Sequence, residues 1–179
     1  GDVASRLAAA AIAEAALPPP EPPESASEVA RWVSLANDVL YARMALEPSL
    51  AGMGTTVAGV YAIGDDLVVF NVGDSRVYRW QDGYLCQLSV DDTFGMGADR
   101  PLSQCLGGHD RPTEAVPHML VEKALPGRRY LICSDGLYNA VPLEAMEAAL
   151  DAPPALAAAQ LLERALAAGA ADNVSFVLL

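Results

Sequence analysis

The residues best placed to do chemistry in this sequence are aspartates at the ends of apolar runs. Leu131-Ile132-Cys133-Ser134-Asp135-Gly136-Leu137 ends on a carboxylate and a glycine, and Asp172-Asn173 opens the closing run Val174-Ser175-Phe176-Val177-Leu178-Leu179. The stretch from Tyr130 to Cys133 reads as a short buried strand, with Gly136 supplying the φ freedom for a sharp turn straight after it. If the two runs pair antiparallel, Asp135 and Asp172 meet at one sheet edge. Carboxylates brought that close repel unless one is protonated or a cation lies between them. Hard oxygen ligands select magnesium, manganese or calcium over zinc. Taken singly, Ser-Asp-Gly and Asp-Asn also make ordinary turns.

The elements that must carry these residues follow from periodicity. Val3, Leu7, Ala10 and Ala11 recur at helical spacing to about Leu17, where Pro18-Pro19-Pro20 ends the helix. Residues 18–24 read as a proline-rich, semi-rigid connector. Ser25 with Glu28 has the form of a capping box for a second helix, whose apolar face is Val29, Trp32, Val33, Ala36, Val39, Leu40 and Met44. After Pro48 the period alternates, predicting strands over 55–63, 67–72, 77–80 and 84–88. Their joints are Gly64-Asp65-Asp66, Gly73-Asp74-Ser75-Arg76 and the hairpin signal Asp82-Gly83. Short turns of this kind predict one antiparallel meander. Residues 89–129 are less regular and hold His109 and His118, read as solvated loop residues, with a further strand over 120–124. Leu143, Met146 and Leu150 mark a helix from about Pro142, and Leu156, Ala159, Leu162 and Leu166 mark another that Gly169 closes. Helices at both ends, with strands between and after them, predict a single α+β domain over residues 1–179.

Charge narrows the partners. Eleven Lys+Arg against 23 Asp+Glu give a formal net charge of -12, which repels nucleic acid and anionic membrane surfaces at long range and suits a cation-binding cleft. No apolar stretch is long enough to span a bilayer. The three cysteines, Cys86, Cys105 and Cys133, are odd in number and lack zinc spacing. Cys86 and Cys133 lie in strand-like runs and read as buried, reduced thiols of a cytoplasmic protein. The start, Gly1-Asp2-Val3-Ala4-Ser5-Arg6, has neither an initiator Met nor a signal-peptide pattern.

Set side by side, the acidic turns form an ordered series: Gly73-Asp74-Ser75-Arg76, Leu88-Ser89-Val90-Asp91-Asp92, the segment 102–108, Ser134-Asp135-Gly136-Leu137 and Asp172-Asn173. The series resembles the bacterial branch of the metal-dependent Ser/Thr protein phosphatases, the type 2C or PPM family. The family's Gly-Thr-Thr strand entry is matched by Gly54-Thr55-Thr56, and its closing Asp-Asn-Val-Ser by residues 172–175. The resemblance implies a four-layer αββα sandwich, two antiparallel sheets flanked by helix pairs. It implies two Mg²⁺ or Mn²⁺ ions, with Asp135 and Asp172 as the catalytic metal ligands and Asp74 helping Asp135 to hold a third, weaker ion. Asp74 can equally be a turn residue bonded to its own backbone, and Arg76 reads as a structural partner of nearby carboxylates or carbonyls. The implied reaction is hydrolysis of phosphoserine and phosphothreonine in proteins phosphorylated by a Ser/Thr kinase, by metal-activated water and without a covalent phosphoenzyme.

Two departures from the family pattern stand out. Its opening segment carries a phosphate-binding arginine, a glutamate and an Asp-Gly-Met-Gly-Gly-His run with the bridging aspartate, none of which is found in these residues. Gly1-Asp2-Val3-Ala4-Ser5 resembles the Gly-x-x-Ala-Ser that follows that run, so the expectation is a chain lacking the N-terminal strands, holding one metal poorly by itself and marginally stable. Only residues 93–101 stand where relatives have a mobile helical flap, and the usual Asp-His before it reads Asp91-Asp92. The alternative function is a catalytically deficient binding module of the same fold. A third reading is a stress-response phosphatase of the same superfamily acting on an anti-sigma antagonist, although the Gly-Asp-Ser-Arg and Asp-Asn turns fit the type 2C branch better.

Overall fold

The alternating runs between Gly54 and Gln87 form strands, but they divide between two sheets. A computed structural model of the chain describes residues 2–16, 25–95, 100–169 and 171–179, so the predicted connector at 18–24 lies outside the described residues. The first half holds helices α1 (Asp2–Ala16) and α2 (Ala26–Leu46), then strands β1 (Gly54–Thr55), β2 (Val57–Ile63), β3 (Asp66–Val72), β4 (Arg76–Gln81) and β5 (Tyr84–Gln87). The second half holds β6 (Leu106–Gly107), β7 (His118–Lys123), β8 (Arg129–Cys133), the single-turn α3 (Asp135–Tyr138), α4 (Leu143–Leu150), α5 (Pro154–Ala167) and β9 (Phe176–Leu178).

One antiparallel sheet has the order β2-β3-β7 and the other β5-β4-β8-β9, with β1 and β6 as a separate pair. The single meander predicted from the sequence is therefore corrected. Alternation identifies strands but does not name their partners, and residues 73–75 carry the chain from one sheet to the other instead of closing a hairpin. The strand predicted over 55–63 likewise breaks at Thr56, because Thr55 pairs with Leu106 while Val57 pairs with Val72. The hairpin at Asp82-Gly83 forms as expected, with φ of 53° and 88° at the two turn residues.

Each sheet buries one face under helices. Val68, Phe70 and Val72 of β3 pack with Ala4, Ala8 and Ala11 of α1 and with Val29, Val33, Ala36 and Leu40 of α2. Tyr78, Leu85, Leu131 and Cys133 pack with Leu137, Met146, Leu150 and Leu161 from α3, α4 and α5. Val69 and Val77, of opposite parity on β3 and β4, are also buried and face between the sheets, where β2 and β3 lie against β4 and β8. The layers are thus αββα.

Several local expectations change. α1 turns Ala4, Ala8 and Ala11 inward and leaves Val3 exposed. α5 buries Ala157, Leu161 and Ala165, while Leu156, Leu162 and Leu166 are 51%, 43% and 59% exposed. Both helices are apolar on more than one face, and the alanine face wins because small side chains let the backbones approach closely. Ser25 precedes α2 but does not cap it: its Oγ lies 2.7 Å from the Ser27 Oγ, a competing hydroxyl. Cys133 is buried, whereas Cys86 is exposed because it alternates outward on β5, an edge strand. Burial pushes the Cys133 thiol up to about 12, which leaves it unreactive. No helix among the described residues is long and apolar enough to cross a membrane.

Candidate active site

β8 and β9 pair antiparallel, with Leu131 opposite Leu178 and Cys133 opposite Phe176. The ladder continues past the strands: the Ser134 N–H donates to the Ser175 carbonyl at 2.9 Å, and the Ser175 N–H donates to Ser134 Oγ at 3.1 Å. Ser134 Oγ lies 3.2 Å from the Asn173 carbonyl, to which it donates. Asp135 and the Asp172-Asn173 turn consequently flank the same end of the sheet. Gly136 is needed there for close approach and not for an unusual φ, since it sits in the turn of α3. A Cβ on it would lie 2.3 Å from the Asn173 carbonyl oxygen and 3.4 Å from that of Asp172. The Oδ1 of Asp135 accepts the Gly136 N–H at 2.9 Å, and the Oδ1 of Asp172 accepts the Asn173 N–H at 2.7 Å.

Asp74 reaches this end from the crossing between the sheets. Gly73, at φ 95°, is held on both sides: its N–H donates to Asp92 Oδ2 at 2.9 Å and its carbonyl accepts the Asp92 N–H at 3.0 Å. Ser75 Oγ lies 2.8 Å from Thr56 Oγ1, and the Tyr138 hydroxyl donates to the Asp74 carbonyl at 3.0 Å. Burial, and then the charge of Asp135, push the Asp74 carboxyl above its ordinary value, against a bond from its own backbone. Asp74 and Asp135, distant in sequence, share one electrostatic environment.

Sequence reasoning missed most of the frame around these aspartates. Arg76 is the structural partner it was read as, and its carboxylate is Asp91: Nε lies 3.1 and 3.2 Å from the two oxygens and Nη2 2.8 Å from Oδ2. Its Nη1 donates to the Tyr78 hydroxyl at 2.9 Å, and the guanidinium carbon stands 3.7 Å from the Tyr138 ring centroid. Arg100 adds a second cation to Asp91 at 3.1 Å. Burial and the Asp74 charge push the Tyr138 hydroxyl up, so it remains a donor near neutrality. His118, read as a solvated loop residue, instead opens β7, where its register opposite Asn71 brings Nε2 to 2.8 Å from Asp92 Oδ1. His109 is exposed as expected. Of the flap region, residues 96–99 lie outside the described residues. Its ends are tied by a Thr93–Leu102 bridge and a bond from the Phe94 N–H to the Pro101 carbonyl.

The Asp91 cluster has a measurable consequence. Burial alone would raise the Asp91 carboxyl, but the bonds and charge of Arg76, with Arg100 and Gln87, hold it below its ordinary value of 3.8. A depressed carboxyl contributes stability that is full above the ordinary value and lost as pH falls through the lower, folded-state value. In urea titrations, Asp91→Asn is expected to lose less stability than the parent protein between about pH 5 and pH 2. Parallel losses in the two would show that the cluster does not anchor the fold.

The three aspartates supply hard oxygen donors, and among the described residues none of them joins an ion pair. A raised Asp74 carboxyl beside Asp135 is the condition that a divalent cation relieves. Among the described residues no three His, Cys, Asp or Glu side chains gather into a group that could hold a metal ion. The donor set therefore fits part of a hard-cation centre, without closing a coordination sphere by itself.

Comparison with known proteins bears directly on this arrangement. A scan against protein-family models finds no match. The serine/threonine protein phosphatase PstP of Mycobacterium tuberculosis (strain H37Rv) is 36% identical over 195 residues, which cover 99% of this chain and 37% of PstP. The chain thus spans little more than a third of that relative. The serine/threonine phosphatase stp of Listeria monocytogenes serovar 1/2a is 30% identical over 210 residues, covering 99% of this chain and 78% of that protein. Among solved structures, the catalytic domain of PstP in complex with two manganese ions superposes with a TM-score of 0.87 at 34% identity, covering 99% of this chain and 80% of that one. With most of a 30%-identical relative covered and the sheet order and helical layers in place, the chain belongs to the PPM family of bacterial serine/threonine protein phosphatases.

Proposed function

We propose that the intact protein hydrolyses phosphoserine and phosphothreonine in phosphorylated proteins, using two Mn²⁺ or Mg²⁺ ions and a weaker third, with Asp135 and Asp172 as ligands of the principal ion and Asp74 with Asp135 at the weaker position. The observation that carries this reading is the convergence of the Asp74 crossing, the Asp135 turn and the Asp172 turn at one end of the paired sheets, where none of the three carboxylates joins an ion pair among the described residues. Such ions, when bound, neutralise phosphoryl oxygens and lower the pKa of an attacking water.

The chain's own residues prepare that edge. Ser134 locks the two metal-facing turns together through the Ser175 and Asn173 carbonyls, and Gly136 lets them touch. Asp92 grips Gly73 from both sides, so the Asp74 crossing is fixed before any ligand arrives. Fixed carboxylates need no reorganisation when charge develops on a phosphoryl group. A kinase-phosphorylated protein in the cytoplasm is the substrate this reading requires, and its negative charge must be met by the bound cations because the chain itself carries -12.

Removing the metal tests the proposal. Full-length protein treated with a chelator and desalted is expected to lose hydrolysis of a phosphothreonine peptide, and to regain it when Mn²⁺ or Mg²⁺ is restored. Hydrolysis that persists through chelation would rule out metal-activated water. A folded protein that stays inactive with every divalent ion supplied would favour the non-catalytic binding module.

A further inference from the structure

We propose that Tyr138 is a positioning residue for the weak-metal aspartate, its hydroxyl pinning the Asp74 carbonyl to the helix that begins with Asp135; this rests on the metal-ligand reading given above. The crossing that carries Asp74 has anchors at Gly73 through Asp92 and Asn71, and at Ser75 through Thr56. Asn71 belongs to β3 and Thr56 stands just before β2, while Asp92 lies in the loop after β5. The Tyr138 bond, 3.0 Å long and spanning 64 residues, ties Asp74 itself to α3. Asp135 is the first residue of α3 and Tyr138 the last, so one helical turn carries a carboxylate at one end and the clamp for its neighbour at the other.

The ring is itself held. Arg76 lies over it at 3.7 Å from the centroid, and Arg76 is fixed in turn by both oxygens of Asp91 and by Tyr78. A cation over an aromatic face is attractive, and here it restrains the tyrosine ring. Asp91, Arg76, Tyr138 and Asp74 form a continuous chain of contacts. A small cleft of about 240 Å³, lined by Arg76, Tyr78, Gln87, Tyr138 and Leu143 among others, opens beside it, so the tyrosine is reachable from solvent and is not simply core filling.

Tyr138→Phe separates the clamp from the packing, because the ring and its stacking remain and only the O–H is lost. Calorimetric Mn²⁺ titration of full-length protein is expected to show the weakest resolved site loosened by roughly fivefold, the scale of one hydrogen bond, with the tighter site unchanged. The Mn²⁺ concentration giving half-maximal phosphopeptide hydrolysis should rise by about the same factor, while KM for the peptide stays constant. In an Asp74→Asn background the tyrosine substitution should add nothing, a non-additivity that a general structural role does not produce. A wild-type-like Mn²⁺ titration for Tyr138→Phe, or additive effects in the double variant, would overturn the proposal. Mn²⁺ binding that responds as described in a protein without hydrolytic activity would support the clamp and overturn the catalytic reading instead, whereas wild-type protein that binds no Mn²⁺ would overturn both.

Discussion

Asp135→Asn is expected to reduce phosphopeptide hydrolysis by about a thousandfold at saturating Mn²⁺, with the fold unchanged. The substitution keeps the side chain's shape, and the amide oxygen can still accept the Gly136 N–H that Oδ1 accepts at 2.9 Å. What disappears is the charge. A metal ion contributes several kcal/mol of transition-state stabilisation, and each 1.36 kcal/mol is a factor of ten in rate. Loss of the ligand shared by the principal and weaker positions should forfeit about three such factors. Metal-free stability should move the other way or not at all, because Asp74 is raised in part by the charge of Asp135 and loses a repulsive neighbour. Thermal melts without metal and rates with metal therefore separate the electrostatic role from a structural one. Equal rates for the variant and the parent would remove Asp135 from the chemistry and leave the acidic edge without an assigned use.

How much of this was legible in the sequence depends on how local each signal is. Asp82-Gly83 encodes its own turn, and it formed. The neighbourhood of Asp135 and Asp172 was readable because each sits at the mouth of an apolar run, and antiparallel pairing of two runs brings their opposite ends together. The division of β2 to β5 between two sheets was not readable from alternation, since Val72 and Arg76 are separated by a glycine turn whether the chain folds back or crosses over. The family resemblance, drawn from motif order, implied both sheets. Helix faces misled where both sides are apolar: Leu156, Leu162 and Leu166 of α5 are left exposed, and the face of Ala157, Leu161 and Ala165 takes the buried contact. Least legible was the frame around Asp74. Arg76 and Asp91 are 15 residues apart and Tyr138 and Asp74 are 64 apart, so no spacing rule connects them. His118 was misplaced for the same reason, its partner Asp92 lying 26 residues away.

Gly136→Ala should produce the second large effect, and it acts without touching a charged group. Gly136 lies in the turn of α3, where alanine has no backbone objection, so a substitution judged on helix propensity alone would stabilise the protein. Contact distance decides otherwise. The added methyl would stand 2.3 Å from the Asn173 carbonyl oxygen, a backbone atom fixed by Ser134 Oγ and unable to swing aside as a long side chain could. Either α3 lifts from the end of β8 or the Asp172-Asn173 turn retreats from it. Overpacking of this kind costs about 1–3 kcal/mol, which for a domain of this size lowers Tm by roughly 4–8 °C at the middle of that range. Mn²⁺ affinity and phosphopeptide hydrolysis should fall together, because the displaced turn carries Asp172 while Asp135 keeps its charge. Gly136→Ala separates placement from charge. If it melts and binds Mn²⁺ like the parent, the two turns are not held in contact, and the edge on which the proposed metal site depends is looser than its hydrogen bonds imply.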